Sequence, residues 1–166
     1  MKIFIEEQKF TQIWLFIGLA IAFVVAAIPI VKDWDTISQG SFGEILNDLG
    51  GILVLLFVFA LFNFFKLKTR IDEKGVYYQY FPFHFSHRFI PWDAINKCYI
   101  RNYNAIFEYG GWGLKFNFRK SVGKSFTVKG NIGLQLELQN GKKILIGTQK
   151  KEEIQRTLET YQDKIK

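Results

Sequence analysis

The sequence predicts an α+β protein in two parts: an N-terminal two-helix transmembrane hairpin, then an antiparallel β-barrel or sandwich of about seven strands capped by one C-terminal α-helix. Three observations predict it. Two long uncharged apolar runs fall within the first 65 of the 166 residues. From Lys68 the hydrophobic period changes from helix to strand, and the last stretch returns to helical spacing. Charge divides at the same place: residues 1–70 hold six Lys/Arg and six Asp/Glu, so the formal net charge of +7 belongs to the remainder. The expected division is therefore 1–67 as anchor and 68–166 as a cytoplasmic domain. An apolar content of 49% excludes a disordered chain, and a single Cys excludes a disulfide framework or a Cys-rich zinc site.

The first run, Ile13 to Val31, has no charged or strongly polar side chain. At about 1.5 Å per residue its nineteen residues span roughly 28 Å, close to the apolar thickness of a bilayer. Pro29 sits near its end, where a lost backbone hydrogen bond costs least. The second run, Gly50 to Phe65, holds one polar side chain, Asn63, and has a soft boundary that extends back toward Ile45. Two buried helices of a soluble protein are the bland alternative, but so small a domain cannot enclose two helices that are apolar all round. A cleaved signal peptide fits poorly, because Glu6 and Glu7 precede a run longer than an h-region and a second run follows.

Lys2 and Lys9 flank the first run, Lys66, Lys68 and Arg70 follow the second, and only Lys32 lies between. The positive-inside bias then puts both termini in the cytoplasm and loop 32–49 outside. The lipid bilayer is thus the first expected partner. Gly18, Ala22 and Ala26 recur every four residues, a smooth stripe for helix contact with the second span, with another copy, or with another membrane protein.

Downstream, Lys68–Asp72 leads through the turn Glu73-Lys74-Gly75 into an aromatic strand, Val76 to Phe85. Extended segments at Arg88–Ile90 and Ile95–Tyr103 flank the turn signal Pro91-Trp92-Asp93. Leu114, Phe116 and Phe118 alternate with Lys115, Asn117 and Arg119, and Phe126 and Val128 with Thr127 and Lys129. The clearest strand is Ile132 to Gln139, joined by Asn140-Gly141 to a partner strand, Lys142 to Thr148. Ile154, Leu158, Tyr161 and Ile165 form the apolar stripe of a closing helix, with Thr148 as its expected N-cap and Glu152 and Glu153 in its first turn.

Three spaced elements carry a resemblance: Ile90-Pro91-Trp92-Asp93-Ala94-Ile95, Gly110-Gly111-Trp112-Gly113-Leu114-Lys115, and Asn140-Gly141-Lys142-Lys143-Ile144-Leu145-Ile146-Gly147-Thr148. Placed after two transmembrane helices, residues 68–165 resemble the pleckstrin-homology-like (PH-like) domain of bacterial two-span membrane proteins. The resemblance implies a binding or scaffolding module and carries over no ligand residues.

Chemistry-bearing patterns are scarce, and neither an enzyme nor a cofactor is expected. His84 and His87 fall on opposite faces of a strand, so they would not chelate one metal. Cys98 is alone in an apolar strand, as a buried inert thiol is. Gly123-Lys124-Ser125 lacks the upstream Gly of a phosphate loop, since Phe118 stands there. What remains is charge. Lys115, Arg119, Lys120, Lys124, Lys129, Lys142 and Lys143 are candidates for an anionic-surface site, meeting lipid head groups or an acidic protein partner. A merely solvated basic face is the alternative. Nucleic acid is not expected, because the aromatics of Phe116–Phe126 alternate onto a core face. The competing function is an accessory subunit assembled through the transmembrane helices.

Overall fold

Apolar residues from Ile13 onward form an unbroken helix, α1 (Ile13–Lys32), which ends where Pro29 is followed by Asp33, whose N–H donates to the Pro29 carbonyl. The computed structural model describes residues 2–116 and 123–165, in two units: residues 11–64, and residues 1–10 together with 65–166. Within the first unit, a single turn of helix, α2 (Trp34–Ser38), leads to α3 (Phe42–Phe64). The Ser41 backbone N–H and hydroxyl both donate to the Glu44 carboxylate, at 2.7 and 2.8 Å, a capping box that starts α3 eight residues before the apolar run begins. Phe16 near the start of α1 meets Phe59 near the end of α3 edge-on at 5.8 Å, so the two helices run antiparallel. By length and composition α1 is a candidate membrane span, while the apolar part of α3 is the shorter Leu49–Phe64.

In the second unit, β1 (Phe4–Lys9), β2 (Lys66–Asp72), β3 (Gly75–Phe81) and β4 (Arg88–Pro91) make an antiparallel sheet in that order. The register of β1 on β2 runs from Phe4↔Ile71 to Lys9↔Lys66. Residues 1–67 are thus not all anchor: residues 4–9 are a strand of the β unit, and residues 11–64 interrupt the connection between two paired strands. Periodicity concealed β1 because its alternation is inverted. Phe4, Glu6 and Gln8 face inward, while Ile5 faces solvent. β3 stops at Phe81, short of the expected Phe85, because Pro82 has no N–H to continue the ladder.

The other sheet holds β5 (Ile95–Asn102), β6 (Gly113–Phe116), β7 (Lys124–Thr127), β8 (Ile132–Leu138) and β9 (Lys143–Gly147), in the order β5-β8-β9-β7-β6. Nine strands among the described residues replace the expected seven. The sheet is also mixed, because β7 and β9 are parallel, with Lys124↔Ile144 and Phe126↔Ile146. The connection 128–131 carries the chain past the end of β9 to β8. At that crossing a Cβ on Gly147 would lie 3.3 Å from the Thr127 Cα, a tight approach that glycine relieves. A short helix, α4 (Ala105–Tyr109), was not expected from the sequence. It is capped by Asn104, whose side chain accepts from the N–H groups of Ile106 and Phe107, and it lays Tyr103, Ala105 and Tyr109 around Leu145.

Both sheets and α5 (Lys151–Thr160) contribute to one apolar core. Phe4, Leu67 and Tyr80 meet Phe126, Leu136 and Ile146 between the sheets, and Ile154, Leu158 and Tyr161 close it, as the helical stripe predicts. Trp92 is buried in the turn between β4 and β5, donates from Nε1 to the Asp72 carbonyl at 3.0 Å, and lies 5.6 Å from Tyr161. Thr148 is not the N-cap, which falls at Lys150. Its hydroxyl instead donates to Glu6 at 2.7 Å and accepts the Lys150 N–H at 3.1 Å. Glu6 also accepts the Gln149 N–H at 2.8 Å, and Gln8 donates to the Gly147 carbonyl at 2.7 Å. The inward polar residues of β1 therefore tie the first sheet to the end of β9 and the start of α5.

Candidate membrane-surface site

Of the seven candidate basic residues, the five that the structure describes are spread over both ends of the second sheet. Lys124 and Lys143 begin neighbouring parallel strands, and Lys142 lies beside them in the exposed β8–β9 turn. Gly123 makes that approach feasible: its φ of 76° suits glycine, and a Cβ there would sit 2.2 Å from the Lys143 carbonyl. Lys129 lies at the opposite end of β7, and Lys115 is on β6 paired with Ser125. Arg119 and Lys120, with the extension of β6 to Phe118, lie outside the described residues. Lys143 is engaged with Glu137 at 3.1 Å, and that hydrogen bond holds the Glu137 carboxyl below the usual range. Lys124 is exposed, with its ammonium 5.0 Å from the centre of the half-exposed Phe116 ring.

A second cluster lies where the helical insert joins the β unit. Lys9, Lys66 and Phe81 stand in one row across β1, β2 and β3. Beyond that row the aromatic rings pile up. Phe65 is 5.9 Å from Phe10, stacks on Phe83 at 5.9 Å with the planes 7° apart, and lies 6.3 Å from Tyr80. The segment after β3 is firmly built. His84 N–H donates to the Tyr80 carbonyl at 2.8 Å, the Tyr80 N–H donates to His84 Nδ1 at 3.3 Å, and Gln79 Nε2 donates to the carbonyls of His84 and Phe85 at 3.0 and 3.1 Å. Yet Phe83 is 57% and Phe85 86% exposed. The His84 ring lies 5.4 Å from Phe126, and its pKa is lowered by burial first, then by Arg88 and by Lys124. Arg88 begins β4 just after the aromatic segment, and Lys124 begins β7 two residues before Phe126.

His84 and His87 therefore lie past the strand end, not on opposite faces of it. Among the described residues no group of three or more His, Cys, Asp or Glu is gathered where it could hold a metal ion. Cys98 is half-buried, and burial pushes its thiol up to about 12, so it is a poor nucleophile at neutral pH. In the helical unit, Ala22 and Ala26 are half-buried, whereas Gly18 is exposed and a Cβ on it would meet nothing within 4 Å. Sequence reasoning missed the aromatic segment by treating it as strand. The available signal was Phe81-Pro82-Phe83-His84-Phe85, an inter-strand stretch far too apolar for an ordinary turn.

No protein-family model, curated protein or solved structure matches this chain.

Proposed function

We propose that this is a non-enzymatic integral membrane protein, anchored by a two-span hairpin, whose PH-like β unit is a binding or scaffolding module at the cytoplasmic surface. Its ligand class is anionic lipid head groups or an acidic protein partner. One observation carries the reading: the helical insert leaves and re-enters the β unit at paired residues, Lys9 and Lys66. If α1 crosses a bilayer, the chain must cross again to reach Lys66, and α3 is the long helix available for the return. Its apolar part, Leu49–Phe64, reaches roughly 24 Å at 1.5 Å per residue, and Ile45 and Leu46 extend it toward bilayer thickness. The same pairing collects Lys2, Lys9, Lys66, Lys68 and Arg70 on one folded unit, which strengthens the positive-inside argument for a cytoplasmic location. Two sheets closed by a C-terminal helix support the PH-like reading.

A second reading, an accessory subunit held through α1, is favoured by Gly18, whose open side would admit a neighbouring helix closely. One experiment separates them. Intact protein captured from mild detergent should resist prior alkaline-carbonate extraction and retain anionic lipid above its membrane abundance. Release by carbonate would overturn the anchor. A stoichiometric membrane subunit, lost on Gly18→Leu and without lipid enrichment, would favour the accessory role.

A further inference from the structure

The aromatic segment after β3 is rigid, apolar and outward-facing, a combination that an ordinary inter-strand turn does not require. Phe83 and Phe85 are held out by a segment whose backbone is fixed through Gln79, Tyr80 and His84. Exposed apolar side chains on a firm support, rimmed by charge, mark a contact surface. The rim here is cationic. Lys9 and Lys66 share the row of Phe81, where the segment begins, Arg88 opens β4 where it ends, and Lys124 stands two residues before Phe126, whose ring meets His84. Among the described residues none of the four is in an ion pair with a carboxylate.

The covalent chain limits what this surface can meet. Only residues 10–12 separate β1 from α1, a reach of about 10 Å at most, and only Phe65 separates α3 from β2. If α1 and α3 span a bilayer, the row Lys9, Lys66, Phe81 is confined to its surface, and the chain runs from Phe81 directly into the aromatic segment. Phenylalanine beside lysine and arginine is the side-chain set that seats at the boundary between head groups and acyl chains.

Resting on the two-span reading above, we propose that Phe83 and Phe85 insert into the interfacial layer of the bilayer that the insert spans, while Arg88 and Lys124 engage anionic phospholipid head groups. The β unit is then fixed against the membrane at a third point besides its two covalent connections. Its orientation is set by a loop and not left free to pivot on two short linkers.

The test uses the full chain in vesicles of phosphatidylcholine, with or without phosphatidylglycerol. Cysteines introduced singly as Phe83→Cys, Phe85→Cys or Phe107→Cys are labelled with an environment-sensitive fluorophore. Native Cys98, the one cysteine of the chain, is removed as Cys98→Ser in all three proteins, so that the introduced thiol alone carries the label. Phe107, 90% exposed on α4 at the other end of the second sheet from Lys124, is the aqueous reference. Labels at 83 and 85 should show blue-shifted emission and lose quenching by iodide, whereas the label at 107 stays fully quenched. Protection should be greater with phosphatidylglycerol present, and equal protection in both vesicles would remove the head-group part of the proposal. Equal quenching at 83, 85 and 107 in protein that resists carbonate would overturn the insertion and leave the anchor standing. Release of the protein by carbonate would overturn both.

Discussion

The β unit and the helical insert use similar apolar side chains in opposite ways. In the β unit Phe4, Leu67, Ile71, Leu134 and Ile146 are wholly enclosed, and the inward polar groups Glu6 and Gln8 make hydrogen bonds to residues of the other sheet's end. In the insert, α1 has no buried residue, and Ile13 and Val31 are each 75% exposed. By length and composition that helix is a candidate membrane span. The difference also explains how one chain accommodates both. A β-hairpin connection tolerates a long insertion because its paired ends stay fixed whatever lies between them, and loop-closure entropy rises slowly with length.

The largest effect should come from breaking that connection in two ways. Replacing residues 11–64 by Asn-Gly, the turn that suits a two-residue hairpin, should give a water-soluble β unit with a cooperative thermal transition by circular dichroism. The fragment 68–166, lacking β1 and the start of β2, should show no such transition. Folding of 68–166 alone would refute the view that β1 is integral to the sandwich. Aggregation of the excised unit would show that its fold depends on the insert.

Core and surface can then be contrasted residue by residue. Phe4→Ala should cost the excised unit about 3–5 kcal/mol, because a fully buried ring leaves a cavity between sheet and helix. Glu6→Ala should cost about 2–3 kcal/mol, since it strands the buried Thr148 hydroxyl and the Gln149 N–H. Val24→Ala in α1, at an exposed position, should leave the transition of the β unit in the full chain unchanged. Urea titration checks the first two, and thermal melting in detergent the third. A loss at Val24 equal to that at Phe4 would contradict the division into units.

Much of this was legible in the sequence for simple reasons. Strand β8 was clear because Leu134, Leu136 and Leu138 alternate with Gln135 and Glu137, and β9 because Asn140-Gly141 marks the turn that leads into the apolar run Ile144-Leu145-Ile146. Helix α5 was clear because Ile154, Leu158 and Tyr161 repeat at helical spacing. Strand β1 was hidden because burial of Glu6 and Gln8 depends on Gly147, Thr148 and Gln149, more than a hundred residues away, and no local pattern carries that. The parallel pairing of β7 with β9 is likewise a tertiary choice, made where Gly147 lets Thr127 approach. The candidate site was half visible. The basic residues could be counted, but which of them gather at the insert's junction follows only from the register Lys9↔Lys66↔Phe81.

The smallest expected effect tests how firmly the aromatic segment is held. His84 Nδ1 accepts the Tyr80 N–H, which requires the neutral ring, and its pKa is lowered by burial, Arg88 and Lys124. In the unfolded chain the imidazole titrates at its ordinary value of about 6.5. Between the folded and unfolded values the unfolded state binds more protons, so stability is full above about 6.5 and declines as pH falls toward the folded pKa. His84→Asn offers an amide oxygen near the Nδ1 position and cannot titrate, so it should flatten that decline. The comparison is a pair of urea titrations on the excised unit across pH 7 to 5. The carboxyls held low by their partners, Glu108 and Glu137, lose their contribution only at lower pH and affect both proteins alike. Identical slopes for the two proteins would mean that protonation of His84 does not loosen the segment that carries Phe83 and Phe85.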